Sequence, residues 1–451
     1  VGRFIPEGHG EGGAPAARPS PHPCWLREPL SQRVVLERLD NGPVIAVLEN
    51  PHAPTVTIAG SLLAGRAMEP ERPSTPALTA AMLERGTARH TRMELARELE
   101  DHGLELNVEA PTSSPTVVSF SAQGLAEELP RLGSLLAEVL REPAFPEEEL
   151  EKLRTRVLGL LARERQETFP NAFGALTRKL YPVGHPYRRR TVEEREAEVR
   201  SLDRDQLAAF HRGLYGPASL VLAVVGKVRP AEVIRLAHDL FGDWNGGVDR
   251  IPEAPPALPP APGEELIEIA DRPNVDVLLG HATTLVRGAD DQAAATLANA
   301  CLGQSTLTSR LGVEVRDRAG LTYGIYSRFF GTLHLPGPWG IYLGVAPENL
   351  ERARRLCVDI VGRFVEEGPT EEEVAEQRES QAGSYTVGLA TNGGVARELV
   401  AVLTSGEGLE ALDGYPRSLL ETSREEVAAA ARRHLHPESL VLTAAGSIAG
   451  R

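Results

Sequence analysis

The sequence predicts an α+β protein made of tandem duplicated domains, each a mixed, mostly antiparallel β-sheet packed with helices. The halves of the chain repeat each other, because Ser201–Val228 and Thr422–Ile448 match at an offset of 220 residues. Both copies indicate an amphipathic helix, a proline-marked turn and a buried strand that ends in glycine. In each half, strand-like segments also cluster before a block of helices, which is the α+β order. Solenoid units run about 20–50 residues, so this period indicates a duplicated domain.

Composition places the domain boundaries. Residues 1–32 are rich in glycine and proline and contain no long apolar stretch, so we expect a disordered N-terminal segment. Half of residues 251–262 are proline, which predicts a semi-rigid linker over 248–263. The N-terminal domain is therefore expected at 33–247 and the C-terminal domain at 264–449.

A β-hairpin is predicted to open the first domain. Asn41-Gly42 separates two strand-like segments, 33–39 and 43–49, and is a typical β-hairpin signal. Further strands are predicted at 55–64, 104–110 and 115–122.

Capping residues mark the helices. Thr75-Pro76 predicts a helix with threonine as N-cap and proline in the first turn. Thr91–Glu94 forms a capping box for a second helix, which stops before Gly103. Three or four helices fill 125–199, with a long one from Pro146 to about Arg165.

The second domain is predicted to follow the same order. Its segments are strands near 265–283, helices near 290–302 and 308–318, strands near 322–331 and 338–346, and then further helices.

Composition also limits the function. The net charge of −15 disfavours nucleic acid as a partner, since phosphate binding needs a basic face. The acidity could attract basic peptides, but solubility is the simpler explanation. Three isolated cysteines indicate neither a disulfide framework nor a CxxC metal site. Apolar runs are too short for a membrane span. Without a visible signal peptide we expect a cytoplasmic protein, with export left open if the N-terminus is processed.

Five segments, in order along the chain, resemble the pitrilysin/insulinase-like zinc peptidases. They are Gly184–Tyr187 (GHPY), Ser201–Gly226, Phe241–Trp244 (FGDW), Ser309–Leu311 (SRL) and Val315–Ser327 (VRDRAGLTYGIYS). The family includes the mitochondrial processing peptidases and small two-domain bacterial members, and the resemblance covers roughly residues 33–449. It implies a mitochondrial-processing-peptidase-like metallohydrolase fold, two chains closing a chamber, and peptide hydrolysis at a zinc ion.

The zinc motif of that family is missing from this chain. Zinc-binding members carry His-x-x-Glu-His before a stretch like Met82–Thr87, so that two histidines share one helical face and the glutamate activates a metal-bound water. The three corresponding residues here are Ala77, Ala80 and Ala81. A further glutamate ligand, expected on the long helix, aligns with Leu160 to within a residue or two. We therefore expect no metal ligand and no cofactor on this chain.

Arg316 and Tyr323 are the candidate substrate-binding residues. They flank Gly320, which we expect to end a helix in a left-handed cap. The resemblance assigns an arginine and a tyrosine at this spacing to the face opposite the zinc, where they bind the substrate carbonyl and the developing oxyanion. The alternative is structural: an arginine at a helix end and a tyrosine ring in the core. At an offset of 217 residues, the first domain has Leu99 and Leu106 at these positions.

Together, these features predict a zinc-free subunit of a heterodimeric metallopeptidase, inactive by itself. A zinc-bearing homologue would be its partner and a peptide the substrate of the complex. The single glycine in Leu302–Arg310 argues against presequence binding through a glycine-rich loop. The alternative function is a non-enzymatic homodimer of the same fold that binds peptides or acts as a scaffold.

Overall fold

The computed structural model describes residues 28–261 and 263–448. In the first half the strands are β1 (Val35–Arg38), β2 (Val44–Glu49), β3 (Thr55–Leu62), β4 (Glu105–Glu109), β5 (Val118–Leu125) and β6 (Val221–Gly226). The helices are α1 (Leu30–Arg33), α2 (Thr75–Leu83), α3 (Arg92–Asp101), α4 (Leu129–Arg141), α5 (Glu147–Glu164), α6 (Thr168–Leu180), α7 (Val192–Ser201), α8 (Arg204–Leu214) and α9 (Pro230–Phe241).

The second half repeats this arrangement. Its strands are β7 (Glu264–Glu268), β8 (Val275–Ala282), β9 (Thr322–Phe329), β10 (Pro338–Val345) and β11 (Val441–Gly446). Its α-helices are α10 (Gln292–Asn299), α11 (Leu350–Glu367), α12 (Glu371–Gly388), α13 (Asn392–Ser405), α14 (Ala411–Glu421) and α15 (Arg424–His434). A π-helical segment, Gly312–Arg318, precedes β9.

The two sheets have equivalent topologies, except that β1 of the first has no counterpart in the second. The first has the strand order β1-β2-β6-β3-β5-β4, and the second has β7-β11-β8-β10-β9. Each contains one parallel pair, β2 with β6 and β7 with β11, and all other neighbouring strands are antiparallel. The predicted α+β class with mixed, mostly antiparallel sheets is confirmed.

Backbone geometry matches at paired glycines of the repeat. Gly226 and Gly446 have φ angles of +155° and +154°, and Gly103 and Gly320 have +61° and +64°. An added Cβ at Gly226 would lie 2.3 Å from the Thr55 carbonyl oxygen. Left-handed or extended positive-φ backbone favours glycine, so the same residue type recurs because the same turn recurs.

Replacement of Gly226 by alanine should destabilise the protein. The strained φ angle alone costs about 1–3 kcal/mol, and the clash with Thr55 adds to it. Gly213→Ala is the matched control, because Gly213 is an exposed residue of α8 with no atom near its Cβ position. Helix propensity favours that alanine by about 0.5–1 kcal/mol. Urea unfolding of both variants checks the difference, and equal stabilities would contradict it.

The two halves exchange helices. Helix α6, from the first half, packs against β8 and β11 of the second sheet, with Ala172 and Leu176 fully buried there. Helix α13, from the second half, packs against β3 and β6 of the first sheet, where Leu399 and Val402 are fully buried. Apart from α1, whose Leu30 packs in the cluster of α13, the remaining helices contribute to the main core of their half on the other face of its sheet. Each sheet is therefore covered on one face by the opposite half of the chain.

Two local expectations need correction. Residues 30–32, assigned by the sequence to a disordered segment, form helix α1: Leu30 is buried, and its backbone N–H donates to Asp413 Oδ1 at 2.9 Å. Residues 1–27 lie outside the described residues. Thr75 is not the N-cap of α2, because the helix already begins at Thr75. The preceding residue, Ser74, donates its N–H to Glu198 Oε1 at 2.7 Å, so a carboxylate from α7 satisfies this end of α2.

Two other local predictions, the hairpin and the capping box, are correct. The hairpin pairs β1 with β2 in antiparallel register around Asn41-Gly42, and Thr91 and Glu94 form both bonds of a capping box. The proline-rich stretch 251–261 contains neither helix nor strand and is bonded to α6 through Leu258 N–H and the Leu180 carbonyl, 2.9 Å apart. In the described part of the chain, helices are all too short or too polar to cross a membrane.

Candidate functional site

The alanines at the lost zinc-motif positions lie on two different sides of α2. Ala77 and Ala81, four residues apart, are exposed on the same face of the helix. Ala80 is only 1% exposed and packs in the core of the first half. The exposed pair is where two histidine ligands would share a helical face, but methyl groups cannot bind a metal.

Helix α5 lies opposite this face. Leu160 is 55% exposed and lines a cavity of about 450 Å³ together with Ala81 and Val157. Glu84 also lines this cavity, and burial raises the pKa of its carboxyl group although the Val108 N–H donates to it at 2.7 Å. Glu84 is thus held by the backbone of β4 and does not replace the missing ligands.

These residues do not fit a zinc ion. Ala77, Ala81 and Leu160 offer no lone pair where the family motif would place nitrogen and oxygen ligands. Within the described ranges, no three His, Cys, Asp or Glu side chains are grouped so that they could hold a metal. The zinc-based step of the family therefore cannot be assigned to Ala77, Ala81 and Leu160.

A larger cleft of about 670 Å³ lies between the two halves of the protein, on the side of α2 that carries Ala77 and Ala81. Its first wall is apolar and consists of α2 and of Leu153, Val157 and Leu161 from α5. Its second wall comes from α6 and β9. The exchange of α6 onto the second sheet is what brings these two walls together.

The second wall is aromatic. Phe173 stands 5.0 Å from Phe330 and 6.0 Å from Phe169, measured between ring centroids. Phe169 in turn contacts Tyr342, which lies 5.0 Å from Tyr326. Aromatic pairs at these distances hold each other in place and present a rigid apolar surface.

The sequence interpretation did not anticipate that this cleft is rich in arginine. Six arginines line it: Arg66, Arg188, Arg189, Arg190, Arg195 and Arg328. A sequence signal existed in the run Arg188–Arg190, directly after the Gly184–Tyr187 motif. Arg66 and Arg328 come from distant segments, and only the fold brings them to the same cleft.

Arg316 and Tyr323 lie near each other along the chain but outside this cleft. Tyr323 is 97% exposed, so its ring is not in the core, contrary to the structural alternative. In the pairing of β9 with β10, Thr322 lies opposite Val345 and Ile325 lies opposite Leu343. Two residues of β9, Tyr323 and Gly324, therefore face one residue of β10, Gly344. This β-bulge places one extra residue in β9. Leu106, at the equivalent position of β4, faces the core.

Arg316 is on the π-helical segment, and its Nη1 donates to Asp317 Oδ1 at 2.7 Å. Its side chain is 34% exposed. Gly320 adopts the left-handed backbone predicted for the end of this segment. The cleft lining from β9 begins at Tyr326, so the structure does not bring Arg316 or Tyr323 together with Ala77 and Ala81 in one cavity.

Comparisons with known proteins agree on the family. Residues 44–185 match the model for insulinase (peptidase family M16), and residues 201–381 match the model for the peptidase M16 inactive domain. An uncharacterized zinc protease of Streptomyces coelicolor is 25% identical over 80% of this chain and 79% of its own length. The mouse (Mus musculus) mitochondrial-processing peptidase subunit beta is 26% identical over 75% of this chain and 69% of its own length.

A solved structure extends the match to almost the whole chain. The crystal structure of a peptidase M16 inactive domain from Pseudomonas fluorescens superimposes with a TM-score of 0.84 at 25% identity, covering 92% of this chain and 97% of that one. The duplicated fold, the two family models and the ordered motifs agree, and the chain belongs to the pitrilysin/insulinase-like peptidase family M16.

Proposed function

We propose that this chain is the zinc-free subunit of a heterodimeric M16 peptidase. A homologous partner supplies the zinc site, and this chain closes the chamber and contributes Arg316 and Tyr323 to substrate binding. One observation carries the proposal: the helical face at which zinc-binding relatives carry histidines is exposed here but consists of Ala77 and Ala81. The fold is kept while the metal ligands are lost, as expected of a subunit that depends on a partner.

The exposure of Tyr323 supports its role. A phenol hydroxyl and a guanidinium are suitable hydrogen-bond donors for an oxyanion that develops in a closed site. In a monomer, a fully exposed tyrosine gains nothing from packing, whereas at a dimer interface the same residue can reach a substrate bound to the other chain. Arg316 has one nitrogen engaged by Asp317, so the other guanidinium donors are available.

The isolated chain should hold far less than one zinc per molecule and should cleave no peptide. Metal analysis after dialysis, with a fluorogenic peptide mixture as substrate, checks both. The engineered pair Ala77→His and Ala81→His should bind zinc measurably, because two histidines four apart on an exposed helical face can share a metal. Ala77→His alone is the control.

One tightly bound zinc per wild-type chain, lost together with peptidase activity on chelation, would contradict the proposal. A stable homodimer that binds peptides and never recruits a zinc-bearing homologue would instead favour the peptide-binding or scaffold function.

A further inference from the structure

The cleft between α2, α5, α6 and β9 is lined by six arginines, in a protein whose net charge is −15. Neither aspartate nor glutamate occurs among the described residues that line it. Three carboxylates lie just behind the lining. Glu164 pairs with Arg189 at 2.8 Å and with Arg195, Glu198 pairs with Arg190 at 3.4 Å, and Asp276 accepts from the Tyr342 hydroxyl at 2.8 Å behind the aromatic wall. Six arginines against three carboxylates leave the cleft positive.

Three of the arginines, Arg66, Arg188 and Arg328, form no ion pair with any carboxylate in the described part of the chain. Arg66 donates to the carbonyl oxygens of Pro186 at 2.6 Å and of Thr112 at 2.7 Å. Carbonyl groups fix the direction of a guanidinium without neutralising it, so donors and positive charge remain for a ligand.

Arg188 is fixed in the same way. Its Nη1 donates to the carbonyl oxygens of Arg178 at 2.9 Å and of Tyr181 at 3.0 Å, at the end of α6. Its Nη2 and Nε therefore remain available to a ligand. Two arginines from separate segments are thus positioned by backbone groups before any ligand arrives, which lowers the entropy cost of binding.

Arg328 lies over the aromatic wall, with its guanidinium carbon 4.3 Å from the Tyr326 ring centroid and 5.8 Å from that of Phe330. Stacking on the rings restrains the side chain while it stays exposed to the cleft. Arg66 is partly buried, and desolvation without a counter-ion lowers its pKa to about 10. Desolvating an unpaired charge is costly, and a bound carboxylate would offset that cost.

From this geometry we infer that the cleft binds a peptide through carboxylate groups, either acidic side chains or a free C-terminus. The apolar wall of α5 and the aromatic wall of α6 and β9 accept the peptide's apolar side chains, and the arginines select negative charge. Nucleic acid is disfavoured, because the surface as a whole repels it. This inference rests on the proposed function in taking a peptide as ligand, and it names the class of that peptide.

Measuring peptide binding to the isolated chain tests this inference, because the result depends neither on zinc nor on catalysis. Fluorescence anisotropy would compare three labelled decapeptides of one apolar background: one with three Glu and an amidated C-terminus, one with Gln at those positions and an amidated C-terminus, and the Gln peptide with a free C-terminus. At least one carboxylate-bearing peptide should bind about ten-fold or more tightly than the uncharged amide. Which of the two does so identifies the source of the carboxylate.

Arg188→Gln and Arg328→Gln should each weaken binding of that peptide by about ten-fold and leave binding of the uncharged amide unchanged. Arg352→Gln is the control, because it removes the same charge from an exposed position on α11 outside the cleft. It should change the affinity neither for the carboxylate-bearing peptide nor for the uncharged amide. Arg328 is exposed, so its variant remains informative if Arg188→Gln fails to fold.

Equal affinity for all three peptides would overturn the inference. An equal loss on Arg352→Gln would also overturn it, by showing a general charge effect. Tighter binding of a single-stranded oligonucleotide than of any of the peptides would overturn the assignment to peptides.

Discussion

In a complex with the zinc-bearing partner, Tyr323→Phe and Arg316→Ala should each lower turnover by about 100- to 1,000-fold, because oxyanion donors typically contribute that much. Assembly and zinc content should be unchanged, since the proposed function places the metal in the other chain. Tyr323→Phe removes only the hydroxyl group, so it separates hydrogen-bond donation from ring packing. Steady-state kinetics and sizing of the complex measure the two effects.

Arg318→Ala is the matched control for Arg316. Arg318 lies two residues further on the same π-helical segment, is 68% exposed and pairs with Glu314. The Arg318→Ala substitution should change turnover little, because an exposed ion pair contributes little to stability and Arg318 has no proposed role at the oxyanion. Full activity of Tyr323→Phe, with only a loss of stability in Arg316→Ala, would assign both residues to structural roles.

A single truncation at either exchanged helix should destabilise both halves of the protein. Leu176 on α6 and Leu399 on α13 are completely buried, each against the sheet of the opposite half. Leucine-to-alanine changes in such positions cost about 2–5 kcal/mol. Because each sheet is covered by a helix from the other half, we expect one cooperative unfolding transition, and each substitution should shift it as a whole.

Calorimetry and hydrogen exchange measured by mass spectrometry can resolve this. Leu420→Ala is the control, since Leu420 is 51% exposed on α14 and its truncation removes little packing. Two separate transitions, with Leu399→Ala affecting only residues 264–448, would contradict the coupling of the halves.

The local signals of the sequence predicted most elements because they report on the backbone itself. The hairpin at Asn41-Gly42 and the capping box of Thr91 and Glu94 depend on neighbouring residues only, and both are as expected. The repeat at an offset of 220 residues predicted structure beyond the local level. Gly226 and Gly446 occupy equivalent positions and have matching φ angles, because the same turn occurs in both halves.

The exchange of α6 and α13 could not be predicted in this way. An amphipathic pattern shows that a helix has an apolar face, but not which sheet covers that face. The prediction of Thr75 as the N-cap of α2 was wrong for a related reason. The Ser74 N–H at this end of the helix donates to Glu198, which is more than a hundred residues away in the sequence.

The candidate site was only partly visible in the sequence. The resemblance located Ala77 and Ala81, and the structure adds that Ala80 points into the core. The arginine-lined cleft was missed because Arg188–Arg190 has the character of a solvated surface run. Arg66 lies in the connection between β3 and α2, and Arg328 lies in β9. Because they are far apart in the sequence, only the folded structure shows that they line the same cleft.

The central claim is that this chain functions as a zinc-free subunit, and native purification tests it most directly. The protein would be purified through a tag from cells that produce it at its natural level, and the eluted complex would be analysed by mass spectrometry and for metal. We predict a one-to-one complex with a homologue that carries His-x-x-Glu-His, with one zinc per complex. A homodimer of this chain with one zinc per chain and peptidase activity would contradict the account.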